Sequence, residues 1–159
     1  MELLKLVALD NEDLEVVSAH LQDAVVSIGD VHWRAAENRL VVGLARFDWE
    51  GAQAAAPEFQ RRRTALRFDR VSSFKCRNVD CSDKQAMLNL LAVSFEETDA
   101  PAGAVTLTFS GGAALRLEVE CLECALVDLG PIWTTTCCPA HADDVMTAEK
   151  VGAPSLRQA

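Results

Sequence analysis

Leu14, Val17, Leu21 and Ala24 recur at the spacing of one helix face, and after them apolar residues recur at every second position. The first pattern predicts an amphipathic helix over residues 11 to 23. Asp10 stands where its carboxylate can accept from the open amides of the first turn, and Asp13 adds negative charge at the positive end of the helix. Glu12, Glu15 and Gln22 fall elsewhere on its surface. The helix is expected to lay its apolar stripe on a sheet.

The second pattern predicts strands. Val25, Ser27, Gly29, Val31 and Trp33 share one face of the first, with Val26, Ile28 and His32 on the other. Ala35 to Asn38 reads as a turn and Arg39 to Trp49 as the returning strand of a hairpin. Val41, Ala45, Phe47 and Trp49 oppose Leu40, Val42 and Leu44 there, and two apolar faces indicate a central pair or a barrel wall. Residues 51 to 60, rich in alanine and containing Pro57, read as a long loop. Arg61 to Arg63 lead into a strand with Leu66 and Phe68 inward, and a bulge or bend is expected near Asp69 and Arg70. Cys76 to Lys84 reads as loop.

Within Met87 to Glu97, Leu91, Val93 and Phe95 alternate and predict another strand. The strongest hairpin signal joins Val105, Leu107 and Phe109 to Leu115, Leu117, Val119 and Cys121 through Gly111 and Gly112. Leu122, Ala125, Leu126 and Leu129 then suggest a short helix stopped by Gly130 and Pro131. From Ala142 onward the chain is polar and aperiodic, as a mobile tail would be. Serial short β-segments favour pairing between neighbours. The expected fold is therefore α+β, with about six antiparallel strands in a meander or small partial barrel. The N-terminal helix covers one opening, in an outline that is pleckstrin-homology-like by analogy alone. Residues 1 to 141 are expected to form one domain, with 142 to 159 as its tail.

Composition narrows the partners. With 159 residues, half of them hydrophobic, the chain can fill one sizeable core. Its formal charge of -9 repels phosphate backbones and anionic lipid, so neither nucleic acid nor a membrane is an expected partner. No apolar run approaches the ~20 residues that span a bilayer. Glu2, Lys5 and Asp10 interrupt the start where a secretory leader needs a long apolar run. The expected location is the cytoplasm, where the six cysteines read as thiols or metal ligands rather than a disulfide framework.

Cys121 and Cys124, followed by Cys137 and His141, approach the spacing of a Cys-Cys-Cys-His zinc module. Against it, Cys121 closes an alternating strand, where a thiol behaves as a small hydrophobe, and residues three apart on a strand face opposite ways. No metal is favoured. Cys76 and Cys81 flank a charged loop and could join Cys137 or Cys138 at a site, or act as a redox pair; incidental thiols are the simpler reading. His20 with Asp23, and Asp30 with His32, would hold a divalent metal only if the fold joined them. More simply, His20 borders the helix–sheet interface and His32 bonds within the sheet. Arg61 to Arg63 could meet an anion, although a solvated start to a strand is commoner. No nucleophile elbow, phosphate-cradling loop, oriented Cys–His pair or cofactor motif occurs, so no catalytic residue is assigned and enzyme is not the favoured class.

Several segments together carry a resemblance. They are Leu9-Asp10 with Asp13-Leu14, Ala19 to Val25, Arg46-Phe47 with Trp49-Glu50, and Ala65 to Phe68. Thr106 to Phe109 with Gly111-Gly112, Leu117 to Cys121, Asp128 to Gly130, Trp133, and Pro139 to His141 complete the set. Over about residues 3 to 141 the chain resembles an alphaproteobacterial family of unknown function, DUF2948. The resemblance implies a cytoplasmic bacterial protein and brings no activity; Cys76, Cys81 and Cys124 lie outside its pattern. The favoured reading is a non-catalytic binding or interaction module offering a sheet face, edge or groove to a protein or small ligand. Trp49, Glu50 and Trp133 are its candidate binding residues. The alternative is a small metal-dependent enzyme or metal-responsive regulator using Cys121, Cys124, Cys137 and His141. A third possibility is a component of a larger assembly.

Overall fold

A computed structural model describes residues 3–49 and 60–134. The chain opens with a short strand, β1 (Lys5–Ala8), which the apolar pattern did not announce. Asp10 then starts helix α1 (Asn11–Leu21), its carboxylate accepting from the Asp13 N–H at 2.9 Å. Asp13 replies by accepting from the Leu9 N–H at 3.4 Å, so two open amides are met at once. Leu14, Val17 and Leu21 are buried as expected. The helix ends at Leu21 rather than residue 23, because Asp23 adopts a left-handed φ of 63° and Ala24 already belongs to the next strand.

Eight further strands follow among the described residues: β2 (Ala24–Arg34), β3 (Arg39–Phe47), β4 (Gln60–Phe68), β5 (Val71–Arg77), β6 (Met87–Glu97), β7 (Gly103–Phe109), β8 (Ala114–Val119) and β9 (Cys124–Thr134). They form one sheet in the order β1-β9-β4-β3-β2-β6-β7-β8-β5, with every pair antiparallel. Antiparallel α+β architecture is thus as expected, with more strands than the pattern suggested. Only Asp69 and Arg70 separate β4 from β5, yet β5 is the last strand of the sheet. The sheet therefore curls over, and Arg70, at φ 61°, makes the corner. The Glu120 N–H donates to the Arg70 carbonyl and the Asp69 N–H to the Glu123 carbonyl, tying the corner to the β8–β9 turn.

α1 packs against β6, β1 and β3, closing its stripe over a core to which β3 contributes Leu40, Val42 and Leu44. Leu66, Phe68, Leu107, Phe109, Leu115 and Leu117 complete most of that interior. Gly111 and Gly112 have φ of 77° and 81°, the turn conformation their sequence required. No helix among the described residues is long and apolar enough to cross a membrane.

Four local expectations are corrected. Residues 122 to 129 are not helical: β9 runs through most of them, held between β1 and β4. Its inward positions are Cys124, Leu126 and Asp128, and the charged third member hid the alternation. Cys76 and Arg77 belong to β5 rather than to a loop. Leu91 is exposed, because the β6–β7 register slips between Leu90 and Ala92 and turns Leu90 inward instead. Finally, β3 ends at Phe47, two residues short of Trp49. Gln60 already begins β4; the rest of the expected loop, residues 51 to 59, and the expected tail lie outside the described residues.

Candidate functional site

The outward surface of α1 carries a second stripe. Glu12, Glu15, Val16 and Ala19 recur at helical spacing opposite the buried set, and all four are exposed. With His20, Gln22 and Trp49 they line an open groove of about 600 Å³. Val16 is 50% exposed, so an apolar side chain lines the groove beside the Glu12 and Glu15 carboxylates.

Trp49 forms the opposite wall and is held in place from two sides. Its indole N–H donates to the Gln22 carbonyl at 3.1 Å, just past the helix end. Its ring meets Phe47 edge-on, with centroids 4.6 Å apart. Phe47 is itself buried beneath Arg61, whose guanidinium lies 5.8 Å from the Phe47 centroid and donates to the Asp23 and Ala45 carbonyls. A fixed aromatic wall costs a ligand little ordering entropy. Trp49 was a candidate from its residue type alone; its helix partners could have been read from the spacing of Glu12, Glu15, Val16 and Ala19.

Behind this wall lies a group of buried charges. Arg46 follows Leu40, Val42 and Leu44 along the inward side of β3. Its guanidinium forks onto Asp128, Nε to Oδ1 at 2.9 Å and Nη2 to Oδ2 at 2.7 Å, with side chains only 5% and 1% exposed. Thr64 Oγ1 donates to Asp128 Oδ1 at 2.8 Å and the Leu4 N–H to Oδ2 at 2.9 Å. Burial opposes ionisation of Asp128, but these four donated bonds and the Arg46 charge outweigh it and hold the carboxyl below its ordinary range. One carboxylate thereby joins β3, β4 and β9 to the residue that leads into β1. Arg62 similarly meets Asp48, Nε to Oδ2 at 3.2 Å, within the buried region. The expected solvated arginine run is corrected: Arg61 and Arg62 are buried, and Arg63 pairs with Asp30 at 3.0 Å.

The remaining candidates are scattered or changed. Trp133 lies on β9 opposite Arg61, while Glu50, Cys137, Cys138 and His141 are outside the described residues. Cys121 falls beyond the end of β8 and is half-buried, not the inward closing residue expected of it. Cys124, the first residue of β9, is the buried thiol, and burial pushes it up to about 12. Such a group resists forming the thiolate that a metal needs. Cys76 and Cys81, expected as separate thiols, form a disulfide. Asp30 spends its charge on Arg63 rather than joining His32, and His20 belongs to the groove. Among the described residues no three His, Cys, Asp or Glu side chains converge as metal ligands.

A family model described as a protein of unknown function (DUF2948) matches residues 4–141. No curated protein and no solved structure matches the chain.

Proposed function

The chain belongs to the DUF2948 family, whose function is unknown, and from that premise we propose that it is a non-catalytic interaction module of the bacterial cytoplasm. Its ligand is a basic, amphipathic segment of a partner protein, received in the groove between α1 and Trp49. The observation that carries this reading is the composition of that groove. Glu12 and Glu15 offer carboxylates at its rim, Val16 and Ala19 an apolar floor, and Trp49 a fixed flat wall. A lysine or arginine of the partner pairs with the carboxylates or stacks on the indole, while its apolar neighbours rest on Val16 and Ala19. The net charge of -9 steers such a partner inward from a distance. The helix over a curled antiparallel sheet, here taken as a partial barrel of pleckstrin-homology-like outline, supplies a rigid base and implies no lipid ligand.

Affinity capture from native lysate tests the reading, using wild type, Val16→Asp and a control, Leu129→Asp. Val16 and Leu129 are both half exposed, so neither substitution empties the core. A captured protein should fall by at least about tenfold with Val16→Asp, the loss expected at the centre of an interface, and persist with the control. Equal capture by both variants, or loss with Leu129→Asp alone, would contradict the groove as the binding surface.

A further inference from the structure

β5, β8 and β7 turn alternate residues outward in register, and their cations fall together on that face. Lys75 stands directly opposite Arg116, and Arg116 opposite Thr106. In the neighbouring row Arg77 stands opposite Ala114, and Ala114 opposite Thr108. Lys75 and Arg77, two apart on β5, share the face at a spacing of about 7 Å along the strand. Ala114 has a single methyl and leaves a hollow among longer side chains. Lys75, Arg77, Thr106, Ala114 and Arg116 line that hollow, a cleft of about 250 Å³.

Like charges set directly opposite each other destabilise a sheet. Here the chain's own carboxylates relieve little of that cost. Arg39, Arg46, Arg62, Arg63 and Arg67 each meet a carboxylate, whereas among the described residues none meets Lys75 or Arg77. Arg116 donates its Nε to Glu118 at 2.9 Å, which leaves both Nη groups as donors. All three cations are exposed. Three cations and a hydroxyl around one hollow suit an anion with several oxygens and more than one charge. The next row limits its size. Glu118 stands opposite Ala104, and Ala104 opposite Glu96, so two carboxylates follow two residues along the strands. A nucleic acid or acidic peptide crossing the sheet would meet them, while a compact anion stays clear. The net charge of -9 also repels polyanions, but at physiological salt it is screened beyond about 8 Å, so nearby cations dominate for a small ligand.

We propose that this cleft binds the phosphate group of a small phosphate monoester. Lys75, Arg77 and the Arg116 Nη groups meet its oxygens, and the Thr106 hydroxyl donates to one of them. A phosphate monoester at neutral pH carries nearly two negative charges on three terminal oxygens, which matches this donor set. The site lies on β5, β7 and β8, none of which lines the α1–Trp49 groove, and it does not depend on that groove.

Nuclear magnetic resonance titrations of the full chain at constant ionic strength test the proposal, with glycerol phosphate, dimethyl phosphate and sulfate as ligands. Wild type is compared with a Lys75→Gln, Arg77→Gln double variant. With glycerol phosphate, the amides of Lys75, Arg77, Thr106 and Arg116 should shift together and saturate at one ligand per chain. The double variant should bind at least about tenfold more weakly, since each lost charged hydrogen bond is worth about that factor. Its ligand-free thermal transition should stay level or rise, because mutually repelling cations have been removed. Dimethyl phosphate, with a single charge, should also bind at least about tenfold more weakly than glycerol phosphate. Affinity for glycerol phosphate should rise about tenfold from about pH 5 to about pH 7, as its second proton leaves near pH 6. Affinity for sulfate, a dianion throughout that range, should stay level. Undiminished binding by the double variant, equal affinity for the diester, a pH response shared by sulfate, or shifts that never saturate would overturn the proposal.

Discussion

Asp128→Ala is expected to destabilise the protein by about 3–5 kcal/mol, the usual cost of stranding a buried charge. The substitution removes the acceptor for both arms of Arg46, for the Thr64 hydroxyl and for the Leu4 N–H. Arg46 then remains desolvated without its countercharge, and the entry to β1 loses the side chain that pins it near β9. Replacing both partners, as Arg46→Met with Asp128→Leu, should recover much of the loss because neither charge need then be buried. Urea unfolding of the three proteins separates the two costs. The pH dependence has a definite sign. The folded-state pKa of Asp128 is lowered, so its contribution is fully present above the ordinary value of 3.8 and is lost as pH falls through the folded value. The gap in unfolding free energy between wild type and Asp128→Asn should accordingly hold steady down to about pH 4 and narrow below it.

Leu117→Ala should cost about 2–5 kcal/mol, whereas Thr108→Ala should change stability by less than about 1 kcal/mol. Leu117 is fully buried on β8, facing the interior beside Val105 across the β7–β8 pair. Removing its branched end forfeits both the transfer energy of the lost methyls and their contacts with a core that cannot fully collapse around the hole. Thr108 points the other way, into solvent. Denaturant melts giving equal costs would mean that β7 and β8 present the opposite faces to the core.

The α1 helix and the β7–β8 hairpin were legible because each carried a complete local signal. Asp10 and Asp13 marked the helix start, the buried stripe needed no distant partner to be recognised, and the hairpin's inward positions were all apolar. β9 was not legible because Asp128 occupies an inward position, and partners far away in sequence, Arg46, Thr64 and the Leu4 N–H, make that tolerable. The same dependence hid the burial of Arg61 and Arg62. β1 is too short for alternation to register, with Val7 exposed and Leu6 only half-buried. At the groove, Trp49 stood out by residue type and the outward stripe of α1 by spacing, but nothing local joined them. The Gln22 carbonyl that receives the indole N–H is a backbone group, invisible to any side-chain pattern. The disulfide likewise depends on a turn that returns Cys81 to β5.

A nuclear magnetic resonance titration of the full chain with a lysine–leucine amphipathic peptide at physiological salt tests the interaction groove most directly. The indole N–H of Trp49 and the backbone amides of Val16 and Ala19 should shift together and saturate with a single affinity, and Val16→Asp should abolish the response. Shifts confined to the exposed apolar residues Leu3, Val7 and Leu129, or a wild-type response unchanged by Val16→Asp, would contradict a groove formed by α1 and Trp49.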